Sequence, residues 1–347
     1  MKAATIKDIA KICGVGVSTV SRAINNHPDI NPETKTRILK AIKEHNYIPN
    51  NSARNLKRLD AKAIAILVKG ITNPFFSEII RVMESEINKN KYTLVLHHVD
   101  DAENEVDVAI QLIKEKRLRG IVFLGGYFSH TEAELLQLQV PFVLSTIDVA
   151  GQVKKEVYSS VTVDDYSESY KLIRYLCELG HKDIVIITTD ENDQSIGKLR
   201  LEGYRQALKD YQIKEKKELI LSMEDQVPQY TMKNGYMVMK HFLEKKLDCT
   251  AVFAISDELA IGASRAILES GRKIPDDISV AGFDGIDTVR FYNPSITTIR
   301  QPIEEIAKES IHVLFDLIKK SKKYQHRVFE GELLVGESTA PPRSICP

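Results

Sequence analysis

Three absences narrow this chain of 347 residues before any motif is read. No apolar run is long enough to cross a bilayer, and the N-terminus lacks the apolar core and small-residue cleavage site of a secretory leader. A cytoplasmic protein with no membrane partner is expected. Cysteine is scarce: Cys13, Cys177, Cys249 and Cys346 stand far apart with no C-x-x-C pair, which speaks for reduced, mostly buried thiols rather than zinc or redox work. Catalytic signatures are missing as well, with no P-loop, no G-x-S-x-G elbow, no H-E-x-x-H and no complete G-x-G-x-x-G. His97 and His98 are neighbours on a strand pattern, so they face opposite ways and cannot chelate one ion together. Asp100 and Asp101 read as a solvated turn, with nothing nearby to drive their pKa values apart. No enzyme, cofactor or metal is expected.

What the chain does have is concentrated at its start. The segment TIKDIAKICGVGVSTVSRAIN, from Thr5 to Asn25, reads as helix, glycine turn and helix. Ile6, Ile9, Ala10 and Cys13 make one apolar stripe behind Thr5 as N-cap. After the break at Gly14 and Gly16, Val20, Ala23 and Ile24 make a second stripe, leaving Ser18, Thr19, Ser21, Arg22 and Asn25 on or near the other face. A third helix starts with Asn31 as cap and Pro32 at its first position, with Ile38, Leu39 and Ile42 at core spacing. The whole chain has a formal charge of +0, yet residues 1–60 hold eleven Lys and Arg against five Asp and Glu. That segment therefore carries +6 and the remainder −6, a basic head suited to a phosphate backbone on an acidic body.

Beyond Ala61, strand-length apolar runs alternate with helical patterns. IAILV from Ile64, TLVLHHV from Thr93, GIVFLGG from Gly120 and PFVLS from Pro141 form one series. DIVIITT from Asp183, TAVFAIS from Thr250 and ISVAGF from Ile278 form another, with helices such as Lys198 to Leu208 and Glu258 to Ser270 between. Such spacing predicts an α/β protein with two doubly wound lobes of parallel sheet. Ligands in such sheets bind beyond the carboxyl ends of the strands. The residues there are polar or aromatic: Asn73, Phe75, Phe76, Tyr127, Thr146, Ser256, Asp257 and Asp284. Hydroxyls and carboxylates beside aromatic faces suit a sugar or similar polyol, although Asp257 and Asp165 stand equally well as helix caps.

The first segment, followed by YIPNNSARNL from Tyr47 to Leu56, resembles the lactose-repressor (LacI/GalR) family of bacterial regulators. The resemblance continues in NPFFSEI, LCELGHKDI, RLEGYRQAL, SDELAIGA, IPDDISVAGFD and TTIRQP, and so covers essentially the whole chain. It implies a helix-turn-helix head at 1–49, a hinge helix and linker at 50–60, and a periplasmic-binding-protein-like body at 61–347 for effector binding and dimerisation. The N-lobe is expected at about 61–164 and 302–327 and the C-lobe at about 165–301 and 328–347, with crossings near Val163 to Asp165, Arg300 to Pro302 and Arg327. By the same resemblance Val17, Ser18 and Arg22 meet base edges, and Thr5, Thr19, Ser21, Asn25 and Tyr47 anchor phosphates. Asn50 and Ala53 fall in the hinge helix, and Leu56 is its minor-groove wedge. Phe75, Phe76, Arg200, Tyr230 and Asp284, joined by Asn73, Thr146 and Ser256, are the expected effector contacts. Two departures from the family pattern stand out: Gly16 replaces the usual Ser cap of the recognition helix, and Thr146 replaces an acid common in sugar-binding relatives.

The resulting expectation is a homodimeric transcription repressor on a pseudo-palindromic double-stranded DNA operator, controlled by a small molecule of carbohydrate class between two lobes. The alternatives are a regulator of the same fold driven by a protein co-regulator and, further off, a sugar-binding receptor.

Overall fold

The computed structural model describes residues 5–24, 29–45, 47, 62–100, 103–126, 129–149, 153–190 and 195–343. Asn25, Asn50, Ala53, Leu56, Tyr127 and Cys346 lie outside these, as does the expected hinge segment. The chain divides into two compact units, Met1–Ala61 and Lys62–Pro347.

The head contains three helices, α1 (Ile6–Ile12), α2 (Val17–Ile24) and α3 (Pro32–Glu44). Thr5 opens α1 in a reciprocal capping box with Asp8. Asn31 caps α3, its Oδ1 accepting from the backbone N–H of Glu33 at 2.9 Å and of Thr34 at 3.2 Å. Ile9, Ala10, Cys13, Val20, Ala23, Ile38 and Ala41 make the shared core. Leu39 departs from the expected stripe and is 44% exposed, because one residue of helix rotates it about 100° away from Ile38.

In the second unit the chain runs through β1 (Ala63–Val68), α4 (Pro74–Lys89), β2 (Thr93–His98), α5 (Glu105–Lys116), β3 (Leu118–Leu124), α6 (Glu132–Leu135), β4 (Phe142–Ser145) and β5 (Ser159–Val163). It continues through α7 (Asp165–Glu178), β6 (Ile184–Thr188), α8 (Ile196–Asp210), β7 (Ile220–Ser222), α9 (Met232–Glu244), β8 (Ala251–Ala254), α10 (Asp257–Glu269) and β9 (Ser279–Asp284). Last come α11 (Asp287–Phe291), β10 (Thr297–Arg300), α12 (Ile303–Ile318), β11 (His326–Phe329) and β12 (Glu332–Leu334).

Two six-stranded sheets result, ordered β11-β5-β4-β3-β1-β2 and β12-β10-β9-β8-β6-β7. The first is parallel throughout, and in the second only β12 runs antiparallel, against β10. Central strands such as β1, β6 and β8 are buried along their length, as continuous apolar runs covered on both faces require. The chain passes between sheets after β5, after β10 and after β11. That last passage lies just beyond Phe329, where β11 still keeps its register with β5 as Phe329↔Val163. No helix among the described residues is long and apolar enough to cross a membrane.

Candidate functional site

In the head, α2 offers a polar, solvent-facing side. Val17 is 41% exposed, Ser18 and Arg22 are exposed, and Thr19 and Ser21 are half-buried. Arg22 Nη1 lies 3.3 Å from Asp29 Oδ2. Gly16 starts the helix with its carbonyl, which accepts from Val20 N at 3.2 Å, but it has no side-chain oxygen for the cap. The Thr5 hydroxyl donates to Asp8 Oδ2 at 2.7 Å, and the half-buried Tyr47 packs on the head core.

In the body the strand orders place a reversal between β1 and β3 in one sheet and between β6 and β8 in the other, where a doubly wound sheet opens a crevice. A cavity of about 220 Å³ lies there, bounded by residues of both lobes. Seven of the eight expected effector residues line it: Asn73, Phe75, Phe76, Thr146, Arg200, Tyr230 and Asp284. Ser256 does not. Its hydroxyl is turned to the start of α10, accepting from Leu259 N at 3.3 Å, because the strand end is also the N-cap. Asp257 is likewise structural. Its carboxylate accepts from Gly285 N at 2.7 Å, Ile286 N at 2.8 Å and Thr298 Oγ1 at 2.6 Å, fixing the turn that presents Asp284.

Arg200 is buried and spoken for. Its Nε and Nη2 reach Asp165 Oδ1 at 2.8 and 2.7 Å, Nη1 donates to the Ile255 carbonyl, and the guanidinium lies 3.6 Å over the Phe283 ring. Nη1 is also 3.8 Å from Asp284 Oδ1. Asp284 accepts from Asn73 Nδ2 at 3.1 Å and from Gln301 Nε2 at 2.9 Å. Burial pushes its carboxyl up to about 6, against the pull of Arg200 and of those two donors. Burial likewise raises Asp165, with Arg200 opposing.

Thr146 stands apart chemically. Its side chain is buried, yet Oγ1 has no hydrogen-bond partner, and its backbone sits at φ 65°, a region β-branched residues rarely adopt. Strain of this kind gathers at functional sites. Phe75 and Phe76, with ring centroids 5.4 Å apart, supply apolar wall, and the Tyr230 hydroxyl is 3.4 Å from Ser195 Oγ.

Sequence reasoning missed Lys69, Gly125, Gly126, Ser195 and Gln301, all of which line the cavity. Lys69 follows β1, so the strand-end rule could have found it. Its ammonium donates to the Glu103 carbonyl at 3.1 Å and to Glu105 Oε1 at 3.3 Å, and Glu105 Oε2 is 3.1 Å from His130 Nε2. Although burial pushes the Glu105 carboxyl up, His130 and the Lys69 charge hold it below its ordinary value. Gly125 and Gly126, at φ 71° and 88°, leave room here. A Cβ on Gly125 would sit 2.5 Å from the Phe76 ring, and one on Gly126 would sit 2.9 Å from Lys69 Cδ.

Residues 5–50 match the model of the bacterial regulatory proteins of the lacI family, and residues 173–339 match a periplasmic binding protein-like domain. The HTH-type transcriptional regulator MalR of Clostridium butyricum is 42% identical over 335 residues, 96% of this chain and 98% of that protein. The chain belongs to the lacI family. As a lacI-family member it is a DNA-binding transcriptional regulator and not an enzyme. The HTH-type transcriptional repressor CytR of Escherichia coli K12 is 32% identical over 342 residues, 97% of this chain and 96% of that one. A lacI-family regulator from Enterococcus faecium, solved with bound ribose, superposes with a TM-score of 0.70 at 30% identity, covering 81% of this chain and 99% of that one.

Proposed function

We propose that this regulator is a repressor: a homodimer holding a pseudo-palindromic operator, whose grip on DNA is set by a small carbohydrate bound between the lobes. Work on chromosomal DNA requires that it reside in the cytoplasm. The observation that carries the effector reading is the cavity itself, where an unpartnered buried hydroxyl, an Arg–Asp pair and aromatic walls converge. Rings stack on the apolar faces of sugars while the polar groups fix hydroxyls. Thr146, Arg200, Asp284 and Asn73 are the polar contacts, and Phe75, Phe76 and Tyr230 the stacking ones. The ribose of the E. faecium relative supports the sugar class, and CytR supports the repressor role.

On DNA, Arg22 pairs with a guanine edge after exchanging Asp29 for the base, and Val17 and Ser18 read short contacts beside it. Thr5, Thr19, Ser21, Asn25 and Tyr47 hold phosphates. Asn50, Ala53 and Leu56 belong to a hinge helix too short to be stable alone, which orders when two chains meet on DNA. The effector acts by binding two lobe arrangements with unequal affinity, since equal affinity would shift nothing. Thermal melting of the full chain against pentoses, hexoses, disaccharides and their phosphates tests the reading. A sugar-specific rise that disappears in Tyr230→Ala is expected. No rise with any sugar would overturn the carbohydrate assignment and favour a protein co-regulator.

A further inference from the structure

The two lobes are joined across the cavity by a direct side-chain hydrogen bond. Asn73 follows β1 in the first lobe and Asp284 ends β9 in the second, and Asn73 Nδ2 donates to Asp284 Oδ2 at 3.1 Å. Both side chains are buried and both line the cavity. We infer that Asn73 and Asp284 form a latch that holds the ligand-free lobes together, so that an effector is admitted only when the latch parts.

Each partner is held from behind, which makes the pair a fixed strut. Asn73 Oδ1 is occupied as the cap of α4, accepting from Phe75 N at 3.0 Å, so the amide has one orientation and its Nδ2 points to the other lobe. Asp284 is fixed on its own side by Arg200 at 3.8 Å and by the Asp257-bound turn at Gly285 and Ile286. Its second oxygen takes Gln301 Nε2 at 2.9 Å, and Gln301 N donates to the Asp284 carbonyl at 3.1 Å. Gln301 lies in the passage between β10 and α12, where the chain leaves the second lobe for the first. One carboxylate thus binds the opposite lobe and a connecting segment together.

A charged acceptor facing an amide donor, both buried, is a strong bond relative to an exposed one, and parting it strands a buried carboxylate. A ligand hydroxyl can replace each half, donating to Asp284 and accepting from Asn73. The latch shares the cavity assigned above to an effector, but its test uses no effector, so either can fail while the other stands.

The experiment measures the distance between spin labels at Glu78→Cys and Lys233→Cys in the full chain without ligand, with Cys346 replaced by Ser. Both label positions are exposed, one on α4 and one on α9. Asn73→Asp keeps a cap oxygen for α4 but sets a carboxylate against Asp284, and the distance distribution is expected to lengthen and broaden. Combining it with Asp284→Asn exchanges donor and acceptor and is expected to restore the parent distribution. An unchanged distribution in Asn73→Asp overturns the latch. Lengthening that the double variant does not reverse, with circular dichroism showing both folded, also overturns it.

Discussion

Thr146 and Asp284 show what one residue contributes to this cavity. The Thr146 hydroxyl is buried without a partner, a situation that costs about 1–3 kcal/mol until something bonds to it. Thr146→Val keeps the β-branched shape and removes the orphan, so the ligand-free protein is expected to gain about 1 kcal/mol in urea unfolding. The same variant should lose most of the sugar-dependent rise in melting temperature. Asp284 has a pH signature. Its folded-state value of about 6 lies above the ordinary 3.8, so the folded chain holds the extra proton between those values. Stability from this group is therefore full below about pH 4 and is lost as pH rises through about 6, by on the order of 2–3 kcal/mol. Relative to the parent, Asp284→Asn should gain stability between pH 4 and pH 6 and level off above, measured by urea titration across that range.

Helix packing and helix starts set the next scale. The α9 and α10 backbones nearly touch: a Cβ on Gly262 would lie 1.9 Å from the Met232 carbonyl oxygen, and one on Gly235 would lie 2.2 Å from that of Leu259. No side-chain rotation relieves a clash with backbone, so Gly262→Ala is expected to cost about 3 kcal/mol or more by calorimetry. In the head, Gly16 has open space where a side chain would go, its nearest neighbour Ser18 Oγ at 3.5 Å. Gly16→Ser should add a cap worth about 0.5 kcal/mol to head stability and tighten binding to DNA of any sequence by one more phosphate contact. Most elements were legible because a buried parallel strand is an unbroken apolar run, as in β1, β6 and β8. β5 was not, since its buried Ser159, Ser160 and Thr162 look like loop residues. The Ser159 and Ser160 hydroxyls are bonded at 2.9 Å to Gln325 N and His326 Nδ1, far away in sequence. Lys69, directly after β1, lay within reach of the strand-end rule that marks Asn73, Thr146 and Asp284; what the sequence does not show is that Glu105, distant in the chain, lies 3.3 Å from its buried ammonium.

For the whole molecule, the charge division and the compact basic head are those of a DNA-binding regulator. A dimer with two-fold symmetry reads two half-sites, so selection of bound sequences from a random DNA pool should enrich a pseudo-palindrome. Arg22→Ala should relax the preference at one symmetric guanine position while leaving phosphate-driven binding and most of the salt dependence in place. Cavity occupancy is expected to change the grip on that DNA. The most direct test is fluorescence anisotropy of the enriched operator, titrated at fixed salt with and without the sugar that raises the melting temperature. A change in affinity of at least tenfold, about 1.4 kcal/mol, is predicted with sugar present, and none in Thr146→Val. Equal affinity with and without a sugar that demonstrably binds would contradict the account.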